Sequence, residues 1–302
     1  MERRRIKLLF FAVGITSVLL VFQNCGKVKF ANKTGEAESN QMTSGDPVGV
    51  TQGASTAPNP PLVNPPMVTP SNLICDPFES KNRVDPRSGV EGTLHYTQAR
   101  LPEAECAGTP CTSRDYIAKG KKVDATLFMS QIFVPTRNFS DGFSVEGQGK
   151  LKDENGQDLV EWFATDLKSN FVLRPEDADG DYQFAIISDD GITLTSTMDG
   201  QDLLVDEGEH SPRLRCSPGV VHMNKSNKVP FRLTYFQGPR TQISLVVMWR
   251  KVETSTDLSD CGSSDGYLAD QDQLPTTLTS RGWKVLKPGN YLLDGYNLCQ
   301  MP

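Results

Sequence analysis

Two stretches of strict alternation constrain the fold of this chain more than any other feature. From Val229 to Phe236 every second residue (Val229, Phe231, Leu233, Tyr235) is large and apolar, and from Ile243 to Arg250 the same holds for Ile243, Leu245, Val247 and Trp249. A period of two puts those side chains on one face of an extended chain, so both segments are expected to be half-buried β-strands. Tyr182 to Ile187 and Ile192 to Thr197 predict two more, joined by a turn at Ser188-Asp189-Asp190-Gly191. Asp199-Gly200 predicts another hairpin-type turn before Leu203 to Val205. Helical periodicity is scarce after the first 24 residues. Many short strands with frequent turns predict an all-β, antiparallel sandwich or barrel.

The N-terminus has a different character. Glu2, Arg3, Arg4, Arg5 and Lys7 precede an apolar run from Leu8 to Phe22, and Gln23 and Asn24 then turn polar, the order of a secretory signal. About 15 apolar residues are short for a bilayer span of roughly 20, so residues 1–24 are expected to be a cleaved signal peptide. A lone thiol follows, and Val21-Phe22-Gln23-Asn24-Cys25-Gly26 resembles the lipobox of bacterial lipoproteins, with Gln23 and Asn24 departing from the small residues usual there. Lipidation of Cys25 is the expectation; an uncleaved anchor with Cys25 as a bystander is the alternative. Gly26 stands where inner-membrane retention uses Asp, so a cell-envelope location at the outer membrane is expected. Residues 25–72 are poor in large apolar side chains and rich in Pro, as at Pro58, Pro60, Pro61, Pro65 and Pro66, and are expected to be a disordered spacer. Coiled, it would span roughly 40 Å.

The cysteine count fits export. Of seven cysteines, removing Cys25 leaves Cys75, Cys106, Cys111, Cys216, Cys261 and Cys299, an even set able to form three disulfides. Sequence leaves all pairings open; Cys106 with Cys111 and Cys261 with Cys299 are the expected bridges. With no C-x-x-C pair, a zinc cluster is the weaker alternative. The formal net charge of −6 becomes more negative once the basic signal is removed, and no basic stripe suggests nucleic acid. No H-E-x-x-H, no G-x-S-x-G and no Cys/His pair outside the expected disulfides provides a catalytic constellation, so no enzyme is expected.

Three ordered motifs carry a resemblance: Asp179-Gly-Asp-Tyr-Gln-Phe-Ala-Ile-Ile-Ser-Asp-Asp-Gly-Ile-Thr-Leu194, then Met198-Asp-Gly-Gln201, then Phe231-Arg-Leu-Thr-Tyr-Phe-Gln-Gly238 with a final strand through Trp249. Together they resemble a PA14 domain, a β-sandwich family of which many members bind carbohydrate through calcium. The resemblance places the sandwich at 125–252, with residues 73–124 as a disulfide-containing N-terminal extension and 253–302 as a C-terminal segment packed on it. In that segment Trp283 to Leu286 and Tyr291 to Leu293 are expected to form a hairpin around Lys287-Pro-Gly-Asn290.

The resemblance also implies a site. Neighbouring side chains on a regular strand point to opposite faces. In calcium-binding members an Asp-Asp pair has a cis peptide that turns both carboxylates inward, which makes Asp189 and Asp190 the implied metal and carbohydrate ligands. Gln237 stands where yeast adhesins carry an Asn; it has the needed carbonyl oxygen on a longer side chain. Read alone, Ser-Asp-Asp-Gly is also a good turn sequence. Asp177, Asp179 and Asp181 lack the Gly and Glu placements of an EF-hand and read as a solvated turn. His95, His210 and His222 lack metal-ligand spacing and read as surface or packing residues, while Trp162, Trp249 and Trp283 read as core before sugar platform. The functional expectation is a surface-tethered lipoprotein with a calcium-dependent, adhesive carbohydrate-binding module, its partners a glycan or cell-surface polysaccharide and, through the lipid, a membrane. The alternative is a non-catalytic envelope protein whose sandwich binds other proteins or spaces them.

Overall fold

A computed structural model describes residues 73–75, 85–143, 150–239, 241–262, 268, 270 and 272–300. All of them fall in the unit Asn64–Pro302; the expected signal peptide, Cys25 and the spacer 25–72 lie outside the described residues.

In chain order the strands are β1 (Leu73–Cys75), β2 (Val90–Tyr96), β3 (Lys121–Lys122), β4 (Thr126–Met129), β5 (Phe133–Asn138), β6 (Phe163–Phe171), β7 (Gly180–Asp189) and β8 (Ile192–Ser196). They continue as β9 (Asp202–Asp206), β10 (Arg213–Cys216), β11 (Val221–Met223), β12 (Val229–Gln237), β13 (Gln242–Val252), β14 (Lys284–Val285) and β15 (Tyr291–Leu292). Two short helices, α1 (Ser113–Lys119) and α2 (Thr276–Thr279), join them. Among the described residues nine strands form one sheet in the order β1-β4-β2-β6-β12-β8-β9, with β15 beside β6 and β3 beside β2. Six form the other, β10-β7-β13-β14, with β11 beside β7 and β5 beside β13.

The alternation that predicts β12 is what closes the two sheets on each other. Val229, Phe231, Leu233 and Tyr235 are all buried in the space between the sheets, as are Ile243, Leu245, Val247 and Trp249 of β13. Phe171 of β6 stacks on Phe231 at 3.9 Å between ring centroids and tilts against Phe184 of β7 at 4.6 Å, so one ring links both sheets.

Three expectations about the strands need correction. The chain at Ser188–Gly191 is not a hairpin turn: β7 lies in the six-stranded sheet and β8 in the nine-stranded one, so the chain crosses the sandwich there. The C-terminal hairpin does not form either, because β14 pairs with β13 and β15 with β6, and the turn between them likewise carries the chain from one sheet to the other. Nor is β13 half-buried. Its outward residues Val246 and Met248 are covered by Leu268, Leu278 and Trp283, which build a second apolar cluster on the outside of the smaller sheet. The strand alternates in the sense of two different cores, not of core and solvent.

The larger sheet is covered on part of its outer face by α1. Thr112 and Asp115 form a reciprocal capping box at its start, and Ser113 Oγ lies 2.7 Å from Thr234 Oγ1 on β12. Residues 90–129 thus supply central strands and a helix of the same sandwich. Among the described residues no helix is long and apolar enough to cross a membrane.

The six cysteines form three bridges: Cys75–Cys299, Cys106–Cys111 and Cys216–Cys261. Cys261 is therefore bonded to Cys216 and not to Cys299. The strands explain it: Cys216 ends β10 beside β7, and Cys261 follows β13, which pairs with β7 from the other side, so both reach one face of the smaller sheet. Cys75–Cys299 ties the first described strand to the chain end across 224 residues. In the chain-entropy view a loop of that length restrains the unfolded state by about 5 kcal/mol, and the short Cys106–Cys111 loop by about 2. Replacing Cys75 and Cys299 by Ser is expected to lower the urea unfolding free energy by about 2–5 kcal/mol, more than the same change at Cys106 and Cys111; an equal or smaller loss contradicts this account.

Candidate functional site

The crossing between the sheets is where the acid pair sits. Asp189 is the last residue of β7 and pairs in register with Ser244 of β13. Three residues later, at Ile192, the chain enters β8 against β12. Gly191 is the hinge: a Cβ there would meet Phe236 Cε1 at 2.4 Å and Glu207 Oε2 at 2.7 Å, so only glycine lets the chain lie this close to β12. Backbone bonds fix the approach, with Asp190 N donating to Phe236 O and Phe236 N to Gly191 O. The Asp189–Asp190 peptide is cis.

Both carboxylates are nearly dry, each residue only 2% exposed. Asp190 is held by two backbone amides: His210 N donates to Oδ1 and Gly238 N to Oδ2, both at 2.7 Å. Asp189 is held much less. Its Oδ2 is buried with no hydrogen-bond partner among the described residues. Burial, and then the adjacent Asp190 charge, push the Asp189 carboxyl up to about 8, while the neighbouring Gln237 amide lowers it only in part. Asp190 is pushed up to about 7, mainly by burial, against the pull of the Gly238 and His210 amides. Two carboxylates in a water-poor corner cannot both ionise unopposed, so at neutral pH the pair retains a proton.

Gln237 does lie beside the pair, but its amide is committed. Its Oε1 is 2.6 Å from the Tyr235 hydroxyl and its nitrogen donates to Gln242 O at 2.9 Å. The Tyr235 hydroxyl is also 2.5 Å from Asp189 O. Offering the carbonyl oxygen toward Asp189 requires turning the amide over and giving up the bond to Gln242.

The segment after β9 completes the site. His210 supplies its backbone amide to Asp190, and its ring packs inward with Nε2 3.5 Å from Asp206 Oδ2. Burial holds that imidazole below its usual range. Asp206 is clamped by Arg213 through Nε at 2.8 Å and Nη2 at 2.5 Å. On the other side Pro110, inside the Cys106–Cys111 loop, presses on Gly208, where a Cβ would stand 2.8 Å from its ring. Glu209 ion-pairs with Arg100 at 2.5 Å, and half-buried Glu207 accepts from Ser113 N and Thr193 Oγ1. The loop that presents an amide to Asp190 is thus wedged between a salt-bridged strand end and a disulfide loop.

The other sequence candidates fall elsewhere. Asp177 caps the Arg174 turn and accepts from Asn290, Asp179 accepts from Lys225 N, and Asp181 meets His222 at 2.8 Å, so the three acids do not converge. His95 lies on the outer face of the larger sheet with Thr93 Oγ1 3.0 Å from its Nε2. Trp249 and Trp283 are buried, and Trp162, half-buried, stacks on Tyr116. Among the described residues no group of three or more His, Cys, Asp or Glu has metal-holding geometry, so any ion at the pair would need amide, carbonyl or external oxygens to complete its shell. What sequence reading missed is the contribution of His210 and Gly238, which act through backbone N–H groups and leave no side-chain signature.

Comparison with known proteins gives a family match to the part of the chain that holds this site. Residues 172–263 match the PA14 domain model, a span that runs from the end of β6 past β13 and contains the acid pair, the His210 loop and Gly238. The chain carries a PA14 domain. No curated protein matches the chain. Among solved structures it is similar to the PA14 sugar-binding domain of an RTX adhesin, at 15% identity and a TM-score of 0.42, covering 69% of this chain and 99% of that one. It is similar also to the PA14 domain of the MpAFP antifreeze protein (16% identity, TM-score 0.41, 59% and 90% covered). A third is the epithelial adhesin 9 A domain of Candida glabrata in complex with Galb1-4GlcNAc (12%, 0.38, 59% and 87%).

The raised acids of this PA14 domain make a signed prediction. In the unfolded chain both titrate near 4, so between about 4 and 8 the folded, cation-free protein binds more protons than the unfolded one. The stability these acids contribute is full below pH ~4 and is lost as pH rises through 7 to 8. With a chelator present, the melting temperature is expected to fall by more than about 4 °C between pH 5 and pH 8.5, and Asp189→Asn to flatten that fall. A wild-type curve flat over this range, or a fall unchanged in the variant, contradicts the assignment.

Proposed function

We propose that this protein is an envelope-tethered carbohydrate-binding module in which Asp189 and Asp190 hold a calcium ion that helps capture sugar hydroxyls. The observation that carries the reading is the pair itself: two carboxylates brought together in a nearly dry corner, one with an oxygen left without a donor. Hard oxygen donors and a deficit of positive charge suit calcium, which takes six to eight oxygen ligands. Asp189 Oδ2 is available outright, and each Asp190 oxygen keeps a lone pair beyond the amide it already accepts. The remaining positions fall to a turned Gln237 amide and to external oxygens, which is how a glycan would be selected. The ion would supply the counter-charge that a retained proton otherwise provides; the protein's part is to hold the two carboxylates in place through the His210 and Gly238 amides.

The sequence supplies the setting for such a module: a signal over 1–24, a lipid at Cys25 and a spacer over 25–72 that would lift the sandwich roughly 40 Å from a membrane. In this reading the protein is an outer-membrane lipoprotein with an adhesive role, and no catalytic step is assigned to it. Glycan-array binding that disappears on chelation and in the Asp189→Ala, Asp190→Ala double variant is the expected result. Array signal indifferent to both, or no glycan signal together with a crosslinked protein partner, would instead support an envelope protein with a protein-binding sandwich. For the anchor, intact mass of the mature protein is expected to show a chain starting at a diacylated Cys25; a retained Met1 or a free Cys25 thiol rules the anchor out.

A further inference from the structure

The outer face of the larger sheet carries two adjoining concavities that the acid pair does not explain. One, of about 430 Å³, lies between the end of α1 and strands β2, β3 and β6; its walls include His95, Lys122, Asp166 and Lys168. The other, of about 220 Å³, lies between β6, β12 and the 293–295 segment, and is lined by Arg232 and Asn170 among others. Glu91 and Lys168 border both, so the two form one groove running across the sheet.

The register sets out its charges. Glu91, Lys168, Arg232 and Thr195 stand opposite one another on β2, β6, β12 and β8. Arg232 spends its guanidinium on Asp166, through Nε at 2.7 Å and Nη2 at 3.0 Å. Lys168 is thereby flanked by a second cation, and neither it nor Lys122 forms an ion pair among the described residues. Lys122 lies opposite His95 on one side of β2 and Lys168 opposite Glu91 on the other, so their backbone positions are offset by about 13 Å along the strands and about 10 Å across them. A protein of net charge −6 thus keeps two uncommitted cations, spaced apart, in one concave surface. Between and around them the walls offer hydroxyl, carboxylate and imidazole groups, with Ile117, Pro230, Phe231 and Leu293 as the large apolar members.

We infer that this groove is a second binding site, for a carboxylated oligosaccharide that it holds without a metal ion. Two separated cations match repeated carboxylates on one chain better than a single small anion. Thr93, Thr126, Ser169 and Thr197 in the lining match sugar hydroxyls, whereas Phe231 and Leu293 are themselves buried and give the aromatic and aliphatic anchors of a peptide little to pack on. The inference is independent of calcium at Asp189 and Asp190, and either reading can fail alone.

The test is calorimetric titration of the protein with a galacturonate hexamer in chelator, with its methyl-esterified form and a hexaglutamate peptide as controls. Expected are binding of the free acid that weakens as salt is raised, no binding of the ester, and weaker binding of the peptide. The Lys122→Gln, Lys168→Gln double variant should lose at least about tenfold in affinity, while Asp189→Ala with Asp190→Ala leaves it unchanged. Hydrogen exchange on the wild type, which needs no variant to fold, should show protection at 91–95 and 166–168 on adding the hexamer. No binding of the hexamer, full affinity in the lysine variant, tighter binding of the peptide, or protection confined to other segments overturns the inference.

Discussion

The structure depends on one crossing, where the chain leaves the smaller sheet at Asp189 and enters the larger at Ile192. Everything near it follows from the need to pass the chain between two apolar layers with only Asp190 and Gly191 between the strands. Gly191 is required because Phe236 and Glu207 leave no room for a side chain. The polar backbone of the crossing is satisfied by β12, and among the described residues the acids are met by the His210 and Gly238 amides, both on Asp190, and in part by Gln237 beside Asp189. Burial raises both acids, and charge held in so dry a corner makes it receptive to a cation. A fold that needed only a turn here would gain nothing from a second buried acid.

The surroundings keep that corner rigid. Arg213 on Asp206 fixes the start of the His210 segment, and the Cys106–Cys111 loop packs on Gly208 from the far side. Tyr116, stacked on Phe236 at 4.5 Å, joins α1 to the strand whose end carries Gln237. Covalent closure of the whole sandwich comes from Cys75–Cys299; α1 covers part of the larger sheet's outer face, and Leu268, Leu278 and Trp283 cover the smaller sheet.

Much of this was legible in the residues. The alternation at Val229–Tyr235 and Ile243–Trp249 marks the two strands that face each other across the core, and the Asp199-Gly200 turn does join β8 to β9. The acid pair was visible because a family pattern runs through it. What local pattern could not supply is pairing. Ser188–Gly191 and Lys287–Asn290 have turn composition, and a turn that reverses the chain within a sheet uses the same residues as one that carries it to the opposite sheet. The partner strand decides, and it lies tens of residues away. Cys261 was misassigned for the same reason, since spacing along the chain says nothing of which strand ends meet. The groove at Lys122 and Lys168 was equally invisible, because it exists only once β2, β3 and β6 are side by side.

The account turns on the proton that the acid pair retains until a cation takes its place. Calcium titration at pH 7 in buffers of different ionisation enthalpy measures how many protons leave as the ion binds. The account predicts release of about one proton per calcium bound, declining toward pH 9 and reduced in Asp189→Asn, where Asp190 alone titrates. Calcium binding with no proton release at pH 7, or no calcium binding at all, would contradict it.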